Sequence, residues 1–127
     1  MELSHDTVVL NRSFKATPAR LFQAYANPKE REIWCVPSAD TVFRIEESDV
    51  VTGGRETACC GPEDDMKWRM NVTYHRVEQD RLIVFTEELW EHDVLLTIAL
   101  TTFDFRENGN ANPQIIGRTL ALGTRTG

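Results

Sequence analysis

The adjacent acidic residues Glu87 and Glu88 are the best candidates in this sequence for acid–base chemistry. A carboxylic acid that is buried and has a raised pKa can serve as a general acid or base. His75, His92 and Arg69 are the candidate partners. These residues form no recognised catalytic spacing, and solvated surface positions explain them better. An enzyme is therefore the lowest-ranked hypothesis, and the sequence predicts no catalytic residue.

The histidines and cysteines predict neither a metal site nor another cofactor. The three histidines are scattered, without an HxH or HExxH spacing. The three cysteines, Cys35, Cys59 and Cys60, form no CxxC pair. Cysteines on strands are commonly small buried apolar residues, and unpaired thiols are typical of a reducing cytoplasm. Gly53-Gly54-Arg55 is not followed by a helix start, so it lacks the geometry that binds phosphate.

Apolar and aromatic side chains on predicted strands indicate a ligand cavity. Alternation places Trp68, Met70, Val72 and Tyr74 on one face of a strand. The predicted ligand-binding residues are Phe22, Trp34, Trp68, Met70, Tyr74, Thr86, Glu88, Trp90 and Leu96. An ordinary hydrophobic core is the alternative explanation of the same pattern. The segment from Leu82 to Trp90 is apolar on both faces, so its inward face cannot be chosen from the sequence.

The order of predicted elements is one strand, two short helices and six further strands. Residues 7–15 alternate as a half-buried strand. Thr17-Pro18 and Asn27-Pro28 each combine an N-cap residue with a proline that suits the first helical turn. The later strands are predicted within residues 41–47, 49–60, 66–78, 81–92, 93–107 and 115–123, separated by turn-forming residues. Short connections favour antiparallel neighbours.

Three segments resemble the SRPBCC superfamily, whose START-like members have the helix-grip fold. The segments are FKATPARLFQAYANPKEREIW, TGGRETACCGPEDDMKWRM and YHRVEQDRLIVFTEEL, and they are most similar to the heat-shock chaperone ATPase activator-like branch. The resemblance covers residues 7 to about 107. It implies an α+β fold in which a curved antiparallel sheet of about six or seven strands grips a long C-terminal helix around an apolar cavity.

The end of the sequence departs from this pattern. Pro113 and the closing GTRTG disfavour a long helix, so we expect the gripping helix to be missing. The uncovered sheet face would then expose more apolar surface than monomers usually tolerate, which predicts a homodimer through that face.

Length and composition predict one domain, residues 1–127, in the cytoplasm. The first residues lack the pattern of a signal peptide, and no apolar run is long enough to span a membrane. The net charge of -6 argues against nucleic acid as a partner. The preferred function is non-catalytic binding of a small hydrophobic ligand in a cavity lined by the sheet, by a homodimer. A cochaperone-like interaction module and a polyketide cyclase- or hydratase-like enzyme are the alternatives.

Overall fold

The computed structural model describes residues 2–13, 16–35, 38–107 and 113–125. It is an α+β fold with one antiparallel sheet of seven strands, as the sequence predicts. The elements in chain order are β1 (Glu2–Ser13), α1 (Pro18–Ala26), α2 (Pro28–Trp34), β2 (Val42–Ser48), β3 (Arg55–Gly61), β4 (Trp68–Glu78), β5 (Leu82–Glu91), β6 (Val94–Glu107) and β7 (Pro113–Arg125).

The strand order across the sheet is β1-β7-β6-β5-β4-β3-β2. The six strands after the helices therefore form a continuous meander, and β1 joins it at the edge through an antiparallel pairing with β7. This confirms the predicted order of elements and the placement of both helices after the first strand. Within the described ranges α1 and α2 are the only helices, and neither is long and apolar enough to cross a membrane.

Both helices begin as their cap sequences predict. The hydroxyl of Thr17 accepts a hydrogen bond from the backbone N–H of Arg20 at 3.1 Å, and Pro18 occupies the first turn. Asn27 ends α1 in an extended conformation, with φ -80 and ψ 112, and its side chain accepts from the backbone N–H of Lys29 at 3.0 Å. The resulting bend turns α2 back toward the sheet, where Glu32 accepts a hydrogen bond from the backbone of Ile45 at 3.1 Å.

The sheet has a core-facing side, which we call the inner face. On β3 it carries Glu56, Ala58 and Cys60, all buried. On β4 it carries Met70, Val72 and Tyr74, so the predicted face of this strand is confirmed. The strand register then decides which side chains of β5 point inward, because Tyr74 lies opposite Phe85 and Met70 lies opposite Leu89. Ile83, Phe85, Glu87 and Leu89 therefore point inward, and the alternate residues of β5 lie on the outer face.

The sequence-based start of β3 is wrong by several residues. The prediction began this strand at Asp49, with a bulge or a turn at Gly53-Gly54, whereas the observed strand begins at Arg55. The intervening residues form a turn in which Gly53 has a φ of +84, a conformation that glycine adopts without a steric penalty. Gly53 and Gly54 are hydrogen-bonded to the backbone of Tyr74 at 2.8 and 2.9 Å, so the turn is fixed against β4.

Candidate functional site

The inner face carries two apolar clusters. The first cluster consists of Phe22, Val72, Tyr74, Ile83, Phe85 and Phe105, and Leu21, Tyr25 and Phe103 pack against it. The second cluster consists of Ala58, Cys60 and Met70, with the partly buried Phe43, Ile45, Trp68 and Leu89 around it. Helix α1 covers the first cluster through Phe22, which meets Phe105 edge-on at a centroid distance of 5.7 Å.

A row of residues across the sheet lies beside the second cluster and includes two carboxylates. Val72 of β4 pairs with Glu56 of β3 on one side and with Glu87 of β5 on the other. Ala99 of β6 continues the row beyond Glu87. Glu56 and Glu87 therefore lie two strand spacings apart, about 9.6 Å between their backbones. Both carboxylates belong to the same face of the sheet as the apolar clusters.

Arg31 of α2 forms a buried ion pair with Glu56. Both side chains are only 4% exposed, and a guanidinium Nη donates to Oε1 of Glu56. The same oxygen accepts hydrogen bonds from the hydroxyls of Ser48 at 2.7 Å and Tyr74 at 3.1 Å. A buried carboxylate needs such partners, because an unpaired charge in the interior is costly. The pair joins α2 to β3, the strand next to the β2 edge of the sheet.

Two tyrosines extend this network toward α1. Burial, followed by the charge of Glu56, raises the pKa of Tyr74 to about 12, so its hydroxyl stays protonated at neutral pH. That single proton is donated to Glu56, and the Tyr74 oxygen accepts from Arg31 at 3.3 Å. Tyr25 consequently donates to Tyr74 across 3.1 Å. The Arg31 guanidinium also stacks over the Tyr25 ring, 4.3 Å from its centroid.

Within the described part of the chain, one buried side-chain polar atom has no hydrogen-bond partner. It is Nε of Arg31, a donor on a side chain that is otherwise fully engaged with Glu56 and Tyr74. Unsatisfied buried polar atoms are rare in folded proteins and commonly mark a site for water, an ion or a ligand. This atom therefore distinguishes the network from an ordinary structural ion pair.

Glu87 is the second unusual polar group on the inner face. Burial, followed by the charge of Glu56, raises its pKa, and the positive charge of Arg31 lowers it in part. None of the described residues donates a hydrogen bond to its carboxylate. Glu87 is half-buried, and within the described residues it lacks the hydrogen-bond donors that Glu56 has in Arg31, Ser48 and Tyr74.

We expect Glu87→Gln to change how stability depends on pH. The carboxyl of Glu87 holds its proton more tightly in the folded protein than in the unfolded chain, where the pKa of a glutamate is about 4.3. Wild-type stability therefore falls as the pH rises from that value through the pKa of the folded state. Glu87→Gln removes this loss, so the variant should be more stable than wild type at pH 8 and similar to it near pH 4. Urea unfolding across this pH range measures the difference.

Glu88→Gln is the matched control for this prediction, because Glu88 is the next residue along β5 and lies on the outer face. Its carboxylate accepts a hydrogen bond from Trp90, which a glutamine oxygen can also accept. We expect its pH dependence to follow wild type. Identical pH profiles for Glu87→Gln and wild type would contradict a raised pKa of Glu87 in the folded protein.

The structure places seven of the nine predicted ligand-binding residues on the inner or the outer side of the sheet. Phe22, Met70 and Tyr74 are buried on the inner side, and Trp68 is half-buried at the margin of the second cluster. Thr86, Glu88 and Trp90 lie on the outer face, opposite Thr73, Asn71 and Arg69 in the register. Leu96 is half-buried at an irregularity in the pairing of β5 and β6, and the side chain of Trp34 lies outside the described residues.

The polar residues at the centre of the network were not among the predicted site residues. Arg31 lies in the charged segment PKEREIW and Glu56 directly follows Arg55, so neither stands out from a solvated position by its neighbours in sequence. The signal for Glu56 is that it alternates with Ala58 and Cys60, so it shares their buried face. Glu87 has the same signal with Phe85 and Leu89, but the apolar residues on both sides of β5 concealed it.

The thiols offer little nucleophilic reactivity. Cys35, Cys59 and Cys60 are all free. Burial is the main cause that raises the pKa of each thiol above its ordinary value, which reduces the thiolate population. Within the described ranges no cluster of three or more histidine, cysteine or acidic side chains is placed to hold a metal ion.

Residues 15–112 match the protein family described as Activator of Hsp90 ATPase homolog 1-like protein. No curated protein sequence matches the chain significantly.

Solved structures show the same fold at low sequence identity. A protein from Rhizobium leguminosarum superposes with a TM-score of 0.79 at 19% identity, covering 96% of this chain and 80% of that chain. Mll3558 from Rhizobium loti has a TM-score of 0.79 at 19% identity, with 100% and 86% coverage. Ms6760 from Mycobacterium smegmatis has a TM-score of 0.70 at 20% identity, with 100% and 79% coverage.

Proposed function

Because the chain belongs to the family of Activator of Hsp90 ATPase homolog 1-like proteins, we propose that it binds a small hydrophobic molecule on the inner face of its sheet without catalysing a reaction. The observation that carries this proposal is the second cluster, where Trp68 and Leu89 remain partly exposed beside buried Met70. Binding here would remove apolar surface from water, which is the main source of affinity for such ligands.

The positions of the helices support an accessible second cluster. Helix α1 packs against β6 and β7, and α2 packs against β2. Neither described helix packs its backbone against β4 or β5, the strands that carry Met70 and Leu89. The side chains of Phe22 and Tyr25 of α1 cover the first cluster, whereas Trp68 and Leu89 at the second cluster stay partly exposed. A ligand over Leu89 would complete the burial of the second cluster.

Affinity arithmetic sets a lower limit on the size of the ligand. A micromolar dissociation constant corresponds to about 8 kcal/mol, and apolar burial contributes about 25 cal/mol per Å2. The complex must therefore bury upwards of about 300 Å2 of apolar surface, before the entropy lost on association is included. This requirement favours a molecule of at least two fused rings or an equivalent chain.

Titration with the neutral, environment-sensitive dye Nile red tests this proposal. We expect saturable binding with a blue-shifted emission, and Leu89→Ser should weaken it about five-fold or more because it places a hydroxyl on the apolar surface. Leu100→Ser is the matched control on β6, since Leu100 is 43% exposed and follows the outer-face alternation. It should leave the affinity unchanged. Thermal melts of both variants verify that they remain folded.

Absence of saturable dye binding, or equal weakening by both substitutions, would contradict the proposal.

Light scattering on the same samples at micromolar concentration tests whether a second copy of the chain is the occupant. Homodimerisation through this face stays a prediction. A dimer that loses dye-binding capacity when it forms and regains it when it dissociates would assign the face to the second copy and would count against a small ligand.

A cochaperone-like protein interaction is the second candidate, and the family description together with the outer face favours it. Ile98 and Leu100 form an apolar stripe on the outer face of β6, where they are 40% and 43% exposed and lie opposite Glu88 and Thr86. This apolar stripe suits a protein partner better than a small molecule, because it is not enclosed. The candidate predicts the opposite ranking of the two variants, with Leu100→Ser weakening partner binding and Leu89→Ser leaving it unchanged.

Fewer observations support the enzyme hypothesis and the cytoplasmic location. A cyclase- or hydratase-like reaction would use Glu87 as its inward acid, but the described residues place no histidine on the inner face beside it. The free thiols suit a reducing compartment, which supports a cytoplasmic location.

A further inference from the structure

We infer that Glu87 and Arg31 recognise a hydroxyl group at the polar end of an otherwise apolar ligand. The inference rests on the proposed function, because the ligand body would occupy the second cluster. It adds the chemical class of that ligand and the residues that select it. The placement of the two polar groups, the burial of Arg31 and the partners that the neighbouring groups already have carry the argument.

The position of Glu87 is the first step. It lies two residues before Leu89 on β5, so both side chains belong to the inner face about 6.8 Å apart along the strand. A molecule that lies over Leu89 and reaches past it along the strand therefore meets the carboxylate of Glu87. The other cross-strand neighbours of Glu87 are Val72 and Ala99, which are apolar. The carboxylate is thus the polar group available at this place in the sheet.

The unused hydrogen-bonding capacity is the second step. Glu56 already accepts from Arg31, Ser48 and Tyr74, whereas no described residue donates to Glu87. A ligand that donates a hydrogen bond would satisfy this acceptor. Acceptor-only groups such as an ether, or anionic groups such as a carboxylate, would instead face the negative charge of Glu87 and Glu56.

The unpartnered Nε of Arg31 selects among the possible donors. Arg31 is 97% buried and acts electrostatically on Glu87, so the two groups belong to one polar region. A hydroxyl both donates and accepts, so it can donate to Glu87 and accept from the Arg31 Nε–H. An ammonium group can only donate, and it would leave the Arg31 donor unsatisfied while adding a second cation beside it. Of the hydroxyl, ether, carboxylate and ammonium groups compared, only the hydroxyl satisfies both protein groups together.

Three naphthalene derivatives of similar size test the inference. 2-Naphthol carries the hydroxyl, 2-methoxynaphthalene has an acceptor without a donor, and 2-naphthylmethylamine carries an ammonium group at neutral pH. Competition with Nile red measures their affinities for the full chain. We expect 2-naphthol to bind about ten-fold more tightly than 2-methoxynaphthalene, which is a typical effect of a hydrogen bond to a charged group. It should also bind more tightly than the amine.

Glu87→Leu supplies the matched variant, because it removes the acceptor and keeps an apolar side chain of similar length. We expect the preference for 2-naphthol over 2-methoxynaphthalene to disappear, with 2-methoxynaphthalene binding at least as well as to wild type. Glu88→Leu changes the same residue type on the outer face and should preserve the preference. Because Glu87→Leu replaces a half-buried carboxylate, to which no described residue donates, by an apolar side chain, we expect it to fold, and a thermal melt verifies this.

The outcomes separate the inference from the proposed function. Equal binding of 2-naphthol and 2-methoxynaphthalene to wild type would overturn the hydroxyl assignment and leave apolar binding intact. Tighter binding of the amine would overturn it in favour of a cationic ligand. A preference that survives Glu87→Leu would place recognition at another group. Failure of all three compounds to displace the dye would contradict the proposed function itself.

Discussion

Glu56→Gln is expected to lower the free energy of unfolding by about 3–5 kcal/mol, the cost of leaving a buried charge without its partner. The substitution keeps the shape of the side chain and removes the charge that compensates Arg31. The donors of Ser48 and Tyr74 also lose a charged acceptor. Urea denaturation at pH 7, followed by far-UV circular dichroism, measures the change.

Two comparisons identify the cause of this loss. Glu46→Gln breaks the exposed pair in which Arg69 lies 3.0 Å from Glu46, with side chains that are 50% and 42% exposed, so it should cost at most about 1 kcal/mol. The double variant Arg31→Met with Glu56→Met removes both charges and should recover much of the stability lost by Glu56→Gln. An effect of Glu56→Gln no larger than that of Glu46→Gln would contradict a buried ion pair at the centre of the inner face.

Gly54→Ala is expected to destabilise the protein by about 3 kcal/mol or more, because the turn before β3 has no space for a methyl group. A Cβ at this position would lie 1.9 Å from the carbonyl oxygen of Asp49 and 3.0 Å from that of Val51. Both neighbours are backbone atoms, so the clash cannot be relieved by a side-chain rotation. The turn must move, which disrupts its hydrogen bond to the backbone of Tyr74 at 2.9 Å.

Gly53→Ala is the control, since the two glycines differ in what limits them. Nothing lies within 4 Å of a Cβ at Gly53, but its φ of +84 imposes a backbone cost of about 1–2 kcal/mol on alanine. Urea unfolding of both variants compares the two penalties. A Gly54→Ala variant at least as stable as Gly53→Ala would contradict the close packing of Gly54 against Asp49. Near-UV circular dichroism would report a displaced Tyr74 in Gly54→Ala.

Most of the fold could be predicted from local sequence chemistry. Thr17-Pro18 and Asn27-Pro28 are helix starts that require no tertiary information, and the structure confirms both. The strands of the meander follow from alternation and turn residues. The start of β3 could not be placed in the same way, because Asp49-Val50-Val51 has strand propensity while the φ of Gly53 and the contacts of Gly54 with Tyr74 make it a turn.

The candidate site was less accessible to sequence reasoning, because its key facts are pairings across the sheet. The inward face of β5 is decided by two pairings, Leu89 with Met70 and Phe85 with Tyr74. Neither pairing can be predicted from the sequence of β5 alone. Once that face is known, Glu87 rather than Glu88 points toward the apolar clusters. The partnership of Arg31 with Glu56 joins a helix to a strand across 25 residues and has no local signature.

The central claim is that a hydrophobic ligand occupies the inner face over the second cluster, and a methyl NMR titration with 2-naphthol tests it most directly. We predict saturable chemical-shift changes for the methyl groups of Leu89 and Met70, at one end of the inner face. The methyl groups of Ile98 and Leu100, on the exposed outer stripe, should remain unshifted. Changes at Ile98 and Leu100 without changes at Leu89 and Met70, or no saturable change at either pair, would contradict the claim.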